Sequence, residues 1–216
     1  MFKLCSHQTV YYMDKREHII SNALELFAEK GFEGCSIRDI ATRAGVNVAM
    51  VNYYFGSKEK LFEAIVETKA GHMKELLEAL VKDNAKTELE KLDIIAESYV
   101  NRFFSQNKFH RVLYQEMLML QREDLHKHIA TLFSKNTNNI KNIIEQGIRK
   151  KIFRKKDPVL LIASMIGTIS QVLFSRYLCN MMLGKPEDHD PYSDPQFKKR
   201  IIKYIQEMMR DVLLEH

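Results

Sequence analysis

Apolar residues recur at helical spacing along most of the chain, in stretches separated by glycine, proline and capping residues. The first stretch begins at Asp14 and ends before Gly31, where a left-handed cap is expected. Ser36 and Asn47 are good N-caps for two shorter helices, and Ser57 begins a longer one. The N-terminal part of the chain therefore predicts three helices followed by a long fourth.

The rest of the chain continues the helical pattern with few interruptions. Thr87 and Glu90 have the spacing of a capping box, and Asp–Pro pairs at 157–158 and 194–195 are strong helix starts. The stretch 160–178 is apolar on almost every side and is expected to be buried. Only eight Gly and four Pro occur in 216 residues. The sequence predicts an all-α chain of about nine helices, three short ones followed by six longer ones.

Composition narrows the class of protein without identifying a partner. The 33 Lys and Arg against 28 Asp and Glu leave a net charge of +5, which permits contact with nucleic acid but does not argue for it. Residues 1–60 hold eight basic and seven acidic side chains, so DNA affinity must come from where a few donors lie. The three cysteines lie far apart without a CxxC pair, so neither a disulfide framework nor a metal site is expected.

No segment predicts a membrane span or a signal peptide. The chain has no run of eighteen apolar residues, and its first dozen residues lack the apolar run of a signal peptide. We therefore expect a cytoplasmic protein that needs no membrane and no cofactor. Residues 1–13 are interpreted as either an N-terminal tail or a misassigned start.

The segment from Ser36 to Lys58 meets the sequence requirements of a helix-turn-helix. Two helices joined by a tight turn cross closely, so the crossing needs a small residue, which Ala41 supplies. The turn needs a positive φ, which Gly45 supplies. Apolar residues at 37, 40, 46 and 51 are spaced to bury against the first helix. The second helix of the pair can then lie in the major groove of DNA.

The outer face of that second helix suits DNA recognition. An Asn side chain can bond an adenine edge twice, small apolar side chains meet a thymine methyl group, and Tyr, Lys and helix N-termini bind phosphates. The predicted DNA-binding residues are Ser36, Asn47, Val48, Ala49, Asn52, Tyr53, Tyr54 and Lys58. Plainer roles stay open for three of them: Asn52 as a solvated residue, Tyr53 as partly packed under the domain, and Ser36 as an N-cap, alone or with its N–H towards a phosphate.

The same segment resembles the DNA-binding signature of the tetracycline-repressor (TetR) family. The matching pattern is Ser-x-x-x-Ile-Ala-x-x-Ala-Gly-Val-Asn-x-x-x-Val-Asn-Tyr-Tyr-Phe-x-Ser-Lys-x-x-Leu, and the resemblance covers about residues 15–62. Tyr54 and Lys58 fall at positions where the family contacts phosphates. Asn52 is a departure from the family, since many members carry Tyr at this position, and this favours a base contact there.

The resemblance also implies an architecture and a mechanism. It implies a DNA-binding domain over 14–60 and a domain over 61–216 that binds an effector and forms a homodimer through the last two helices, about 158–183 and 195–214. The dimer would present two recognition helices to a palindromic operator. A small apolar or amphipathic effector would shift it to a geometry that releases DNA, with the fourth helix as the lever. The implied function is a ligand-responsive repressor, and activation stays open.

Aromatic and methionine residues in the second half of the chain bear on the effector. Residue type alone fits either a solid core or an apolar cavity, and the family resemblance favours a cavity. The predicted lining residues are Tyr99, Phe103, Tyr114, Met117, Phe133 and Phe174.

Two other classes of function are weighed against this interpretation. An enzyme is not expected, because the sequence has no nucleophile motif, glycine-rich phosphate loop or metal-ligand spacing. The alternative is a helix-turn-helix protein regulated by protein partners without a small-molecule ligand, which a body lacking a cavity would favour. The basic run 149–156 is interpreted as cations collected at a helix C-terminus and not as a second nucleic-acid site.

Overall fold

The computed structural model describes residues 14–119 and 122–214, except for the side chains at 173 and 174. The predicted tail at 1–13 lies outside the described residues. Within these ranges the chain forms ten α-helices and no strand. Their bounds are α1 Lys15–Lys30, α2 Ile37–Arg43, α3 Val48–Phe55, α4 Lys58–Lys82, α5 Glu88–Ser105, α6 Asn107–Leu118, α7 Glu123–Arg149, α8 Pro158–Phe174, α9 Arg176–Leu183 and α10 Pro195–Leu213.

The capping residues that predicted the helix ends have the expected geometry. Gly31 ends α1 with a φ of 74°. The N–H of Thr87 donates to the Glu90 carboxylate at 2.7 Å while the Thr87 hydroxyl accepts from the Glu90 N–H, which completes the capping box of α5. Asp157 and Asp194 each accept two backbone N–H groups ahead of a proline. These local rules fix the helix starts because each satisfies N–H groups that a helix leaves unpaired.

The prediction of one continuous helix over about 158–183 is wrong. Ser175 has an extended backbone, with φ −151° and ψ 123°, and it separates α8 from α9. Its hydroxyl accepts the N–H of Leu178 at 3.3 Å and so caps the new helix. The described residues therefore contain ten helices where the pattern predicted nine.

The expected burial of 160–178 on almost every side is also wrong. Met165 and Ile169 are fully buried, but Leu160 is 66% exposed and Tyr177 63%. Helix α8 packs on α5, α6, α7, α9 and α10 within the chain, and its exposed side chains lie away from these contacts. No single described helix is long and apolar enough to cross a membrane, although α8 and α9 pass that test when they are counted together as a bent pair.

The described chain divides into two compact units, and the boundary falls inside α4 between Glu67 and Thr68. The first unit is built around three aromatic rings, Phe27, Phe32 and Phe62, whose centroids lie 5.2–5.9 Å apart. The second unit is built around α5, which contacts α6, α7, α8 and α10. Each unit therefore has a hydrophobic core of its own.

The loop between α9 and α10 is ordered by one buried side chain. The Asn180 amide, 2% exposed, donates to the carbonyl oxygens of Pro186 at 3.0 Å and His189 at 2.9 Å. A short 3₁₀ turn over Pro191–Ser193 follows. The loop is thereby held against the end of α9.

Candidate functional site

The turn between α2 and α3 has the geometry of a helix-turn-helix. Gly45 has a φ of 62°, which confirms the positive φ predicted for this position. Ala41 is buried at the helix crossing, and its carbonyl oxygen accepts the N–H of Val46 at 3.0 Å. Asn47 then caps α3 by accepting the Met50 N–H at 2.7 Å. The Ala and Gly are needed because the crossing is close and the turn is left-handed.

Ser36 fixes the start of α2 through a complete capping box. Its hydroxyl donates to the Asp39 carboxylate at 2.5 Å and accepts the Asp39 N–H at 3.1 Å. Its backbone N–H donates to the same carboxylate at 2.8 Å, so that donor is already used inside the protein. These bonds hold the pKa of the Asp39 carboxyl below its ordinary value. The N-cap role of Ser36 is confirmed, and its contact with DNA stays a prediction.

Helix α3 buries one face and presents the other to solvent. Val51 and Phe55 are buried, whereas Asn47, Val48, Ala49 and Asn52 are exposed. Tyr53 is 84% exposed, so it is not packed under the domain. Tyr54 is half-buried, and its ring lies edge-on to Tyr53 at 5.4 Å. The exposed residues therefore include two amides, two small apolar side chains and a pair of phenols.

Lys58 is engaged inside the first unit. Its ammonium donates to the carbonyl oxygens of Phe32 at 2.9 Å and Cys35 at 3.0 Å, and it lies 4.3 Å from the centroid of the Phe32 ring. The side chain is only 17% exposed. A contact with phosphate would require the ammonium to leave these acceptors, so the predicted contact competes with a structural role. Sequence reasoning missed that role because the acceptors lie 26 and 23 residues away.

A second contact missed by sequence reasoning ties α1 to the helix-turn-helix. The His18 ring nitrogen Nε2 lies 3.1 Å from the carbonyl oxygen of Ala44, and the side chain of Asn22 donates to the His18 carbonyl at 2.9 Å. Arg43 forms an ion pair with Glu29, in which Nη2 donates to Oε1 at 2.8 Å. These contacts engage polar groups that, judged from the sequence alone, could have bound DNA.

The second unit encloses an apolar cavity of about 310 Å³. Five of the six predicted lining residues line it, and the side chain of the sixth, Phe174, lies outside the described residues. The five are Tyr99, Phe103, Tyr114, Met117 and Phe133. The Tyr114 hydroxyl lies 2.5 Å from the Ser170 hydroxyl, and burial raises the pKa of both Tyr99 and Tyr114. Whether these residues bind an effector stays a prediction.

The cavity also has polar members that the sequence analysis missed. Arg102, His110, Asn136 and Lys69 line it among the apolar residues. The ring of His110 stacks on that of Phe103 at 3.8 Å, and burial, together with the nearby Arg102, lowers its pKa to about 3. The sequence could have indicated Arg102 as a lining residue, because it follows Tyr99 by three positions and therefore shares its helix face.

Comparisons with known proteins agree with this geometry. Residues 19–65 match the family model described as bacterial regulatory proteins, tetR family, and residues 85–173 match the tetracyclin repressor-like C-terminal domain. The probable HTH-type transcriptional regulator YttP of Bacillus subtilis (strain 168) is 26% identical over 197 residues, which is 90% of this chain and 94% of that protein. The HTH-type transcriptional repressor NicS of Pseudomonas putida is 30% identical over 143 residues, 64% of this chain and 66% of NicS.

A solved structure has the same fold over most of its length. The transcriptional regulator FadR from Bacillus subtilis, in complex with stearoyl-CoA, superposes with a TM-score of 0.68 at 21% identity. The match covers 88% of this chain and 96% of FadR. The matched portion therefore includes residues of both compact units.

Proposed function

Because the chain belongs to the TetR family of bacterial transcriptional regulators, we propose that it is a repressor that binds a palindromic operator as a homodimer. A small apolar or amphipathic effector in the second unit releases it from DNA. The observation that carries the proposal is the apolar cavity of about 310 Å³, lined by five residues predicted for this purpose. The alternative, regulation by protein partners alone, gives no reason for such a cavity and is disfavoured.

Two relatives add support to the separate parts of this proposal. NicS is described as a repressor, and the FadR structure holds stearoyl-CoA, an amphipathic molecule. A cavity of 310 Å³ is near the lower end of the range for small-molecule sites, about 300–1,000 Å³. The effector of this chain is therefore smaller than a complete acyl-CoA if it is to be enclosed.

The proposed DNA interface is the exposed face of α3. Val48, Ala49 and Asn52 would meet base edges in the major groove, because they are exposed on the helix that follows the turn. The Asn52 side chain makes no hydrogen bond within the described part of the chain, so both its donor and its acceptor are available. Tyr53 and Tyr54 would donate to phosphate oxygens on either side.

The DNA interface is tested by selecting an operator from a random duplex library and measuring binding by fluorescence anisotropy. Asn52→Ala should narrow the difference in binding free energy between operator and random DNA by about 1–3 kcal/mol, since a bidentate contact carries that much discrimination. Ala49→Ser is a matched control on the same face that keeps the Asn. If wild-type protein binds no duplex at low salt without effector, the proposed function is refuted.

The homodimer is proposed through the outer face of α8, α9 and α10. Leu160, Tyr177, Met181, Met182 and Tyr204 are each more than half exposed in the single chain. Several large apolar side chains on neighbouring helices form a surface that a soluble monomer rarely leaves open. A second copy of the same face would cover it through a two-fold interface.

Size-exclusion chromatography with light scattering tests the dimer. Leu160→Glu should give a monomer, because it places a charge on the exposed apolar face of α8 that the proposed contact would bury. Leu118→Glu is the matched control, since Leu118 is 71% exposed but lies on α6. A dimer that persists in Leu160→Glu and dissociates in Leu118→Glu would place the interface elsewhere.

A further inference from the structure

The charged side chains described on the cavity wall are all cationic. Seventeen described residues line the cavity, and among them Lys69 and Arg102 are cationic while none is Asp or Glu. Both cations are only partly exposed. The wall therefore combines a mainly apolar surface with a formal charge of +2.

Three polar atoms around this cavity have no hydrogen-bond partner among the described residues. They are Nη2 of Arg102, Nε2 of His110 and Oδ1 of Asn136. His110 and Asn136 are 6% and 3% exposed, so neither side chain is left to bulk water. Buried polar groups are ordinarily paired, and three unpaired ones on one cavity wall indicate a partner from outside the chain.

The positive charge in the cavity comes from Arg102 and Lys69 and not from the imidazole. Burial and the neighbouring guanidinium lower the pKa of His110 to about 3, so the ring is neutral at physiological pH. Burial lowers the pKa of Arg102, but the guanidinium stays protonated at that pH, and no Asp or Glu stands among the described residues that line the cavity with it. A half-buried guanidinium with no carboxylate beside it favours an anion more strongly than a solvated one does.

We propose that the effector is an amphiphile with an anionic head of the carboxylate type, whose head binds Arg102 while its apolar body lies among the aromatic and aliphatic lining residues. This inference rests on the proposed function, because it names the chemical class that the cavity takes. The few donors on the wall suit a carboxylate better than a phosphate dianion, which needs more hydrogen bonds. The volume suits roughly ten non-hydrogen atoms, given about 30 Å³ for each water-sized group.

Three probes with the same ten-carbon chain test the head group: decanoate, decan-1-ol and decyltrimethylammonium. Each is titrated into the full-length protein by isothermal calorimetry, without DNA and below the micellar concentration. Decanoate should bind at least about ten-fold more tightly than decan-1-ol, and the cation should bind most weakly. Arg102→Gln should reduce decanoate to the affinity of decan-1-ol while changing decan-1-ol less than about two-fold. Arg102→Lys should restore part of the preference.

Arg111→Gln is the matched control, because Arg111 is exposed on α6 and does not line the cavity. It should keep the wild-type preference for decanoate. The melting temperature of Arg102→Gln should equal or exceed that of wild type, since the substitution removes a half-buried cation that has no acidic partner. A residue with a purely structural role would instead lower it.

Equal affinity for decanoate and decan-1-ol overturns the inference, and so does a preference that survives Arg102→Gln. Failure of decanoate to bind at millimolar concentration also overturns it. If Arg102→Gln does not fold, the probe series on wild type and Arg102→Lys decides. Because these titrations contain no DNA, loss of the inference leaves operator binding intact, and absence of operator binding leaves the titrations interpretable.

Discussion

Replacing Lys58 by Met removes the ammonium and keeps most of the aliphatic side chain. Two hydrogen bonds are lost, to the carbonyl oxygens of Phe32 and Cys35 at 2.9 and 3.0 Å. A hydrogen bond to a charged group contributes about 1.5–3 kcal/mol, and the freed carbonyls recover part of this from water. The ion pair with Glu33, at 3.9 Å and on the surface, adds little. We therefore expect the turn at 31–36 to lose about 2–4 kcal/mol of local stability.

Hydrogen–deuterium exchange measures this loss where it occurs. A change of about 2 kcal/mol raises the opening equilibrium roughly 30-fold, so amides at the end of α1 and in residues 31–36 should exchange at least that much faster. Lys60→Met is the matched control, because it removes the same charge from the same turn of α4. The ammonium of Lys60 is on the surface, where it pairs with Glu63, so exchange in 31–36 should change little.

Operator binding decides whether Lys58 also reaches DNA. If its main role is internal, Lys58→Met and Lys60→Met should change the dependence of DNA affinity on salt by similar amounts, since each removes one charge. If Lys58 binds a phosphate, its variant alone should flatten the salt slope by about one unit. Unchanged exchange in 31–36 together with that flatter slope would refute the structural role.

Three further substitutions test the packing and charges of the second unit. Gly147→Ala should destabilise the protein by about 1–3 kcal/mol in urea unfolding, because the added Cβ would lie 2.1 Å from the buried ring of Phe153. Gly71→Ala, where a Cβ meets nothing within 4 Å, should instead stabilise it by about 0.5–1 kcal/mol, and equal signs would contradict the reasoning. Burial raises the pKa of Glu88, but the hydrogen bond from Lys150 at 2.6 Å and other favourable contacts outweigh it, so the pKa lies below its ordinary 4.5. The ionised carboxylate therefore stabilises the fold at pH values above 4.5, and this stabilisation is lost as the pH falls through the pKa of the folded state. Glu88→Gln should be less stable than wild type at neutral pH, and its free energy of unfolding should fall less than that of wild type between about pH 6 and 3.

The features that sequence predicted correctly are those that depend on neighbouring residues. The capping boxes at Ser36 and Thr87 involve residues three positions apart, and the left-handed turn at Gly45 needs only the absence of a side chain. The exposed face of α3 follows from helical spacing alone. Such rules act within one or two turns of helix, so a short stretch of sequence is enough to apply them.

The features that sequence missed depend on distant parts of the chain. From the sequence alone, Ser175 looks like any small residue inside an apolar helix. The helix breaks there because α9 packs in a different direction from α8, which only the tertiary structure decides. Leu160 belongs to an apolar stretch, and only the positions of α5, α7 and α10 decide which face of α8 they cover. Likewise, the carbonyl oxygens that accept hydrogen bonds from Lys58 belong to residues more than twenty positions away. In each case the outcome is set by tertiary contacts, which override local preference.

The two proposed sites differ in what their unpaired polar groups cost the free protein. Asn52 lies in water, so its amide is hydrated and costs nothing until DNA replaces that water. The unpaired atoms of Arg102, His110 and Asn136 are buried, and such groups each cost about 1–3 kcal/mol when they have no partner. A ligand that pairs with them removes this cost only in the occupied state. Anionic occupants of the cavity should therefore raise the melting temperature in proportion to the logarithm of their concentration, whereas the neutral probe should do so more weakly.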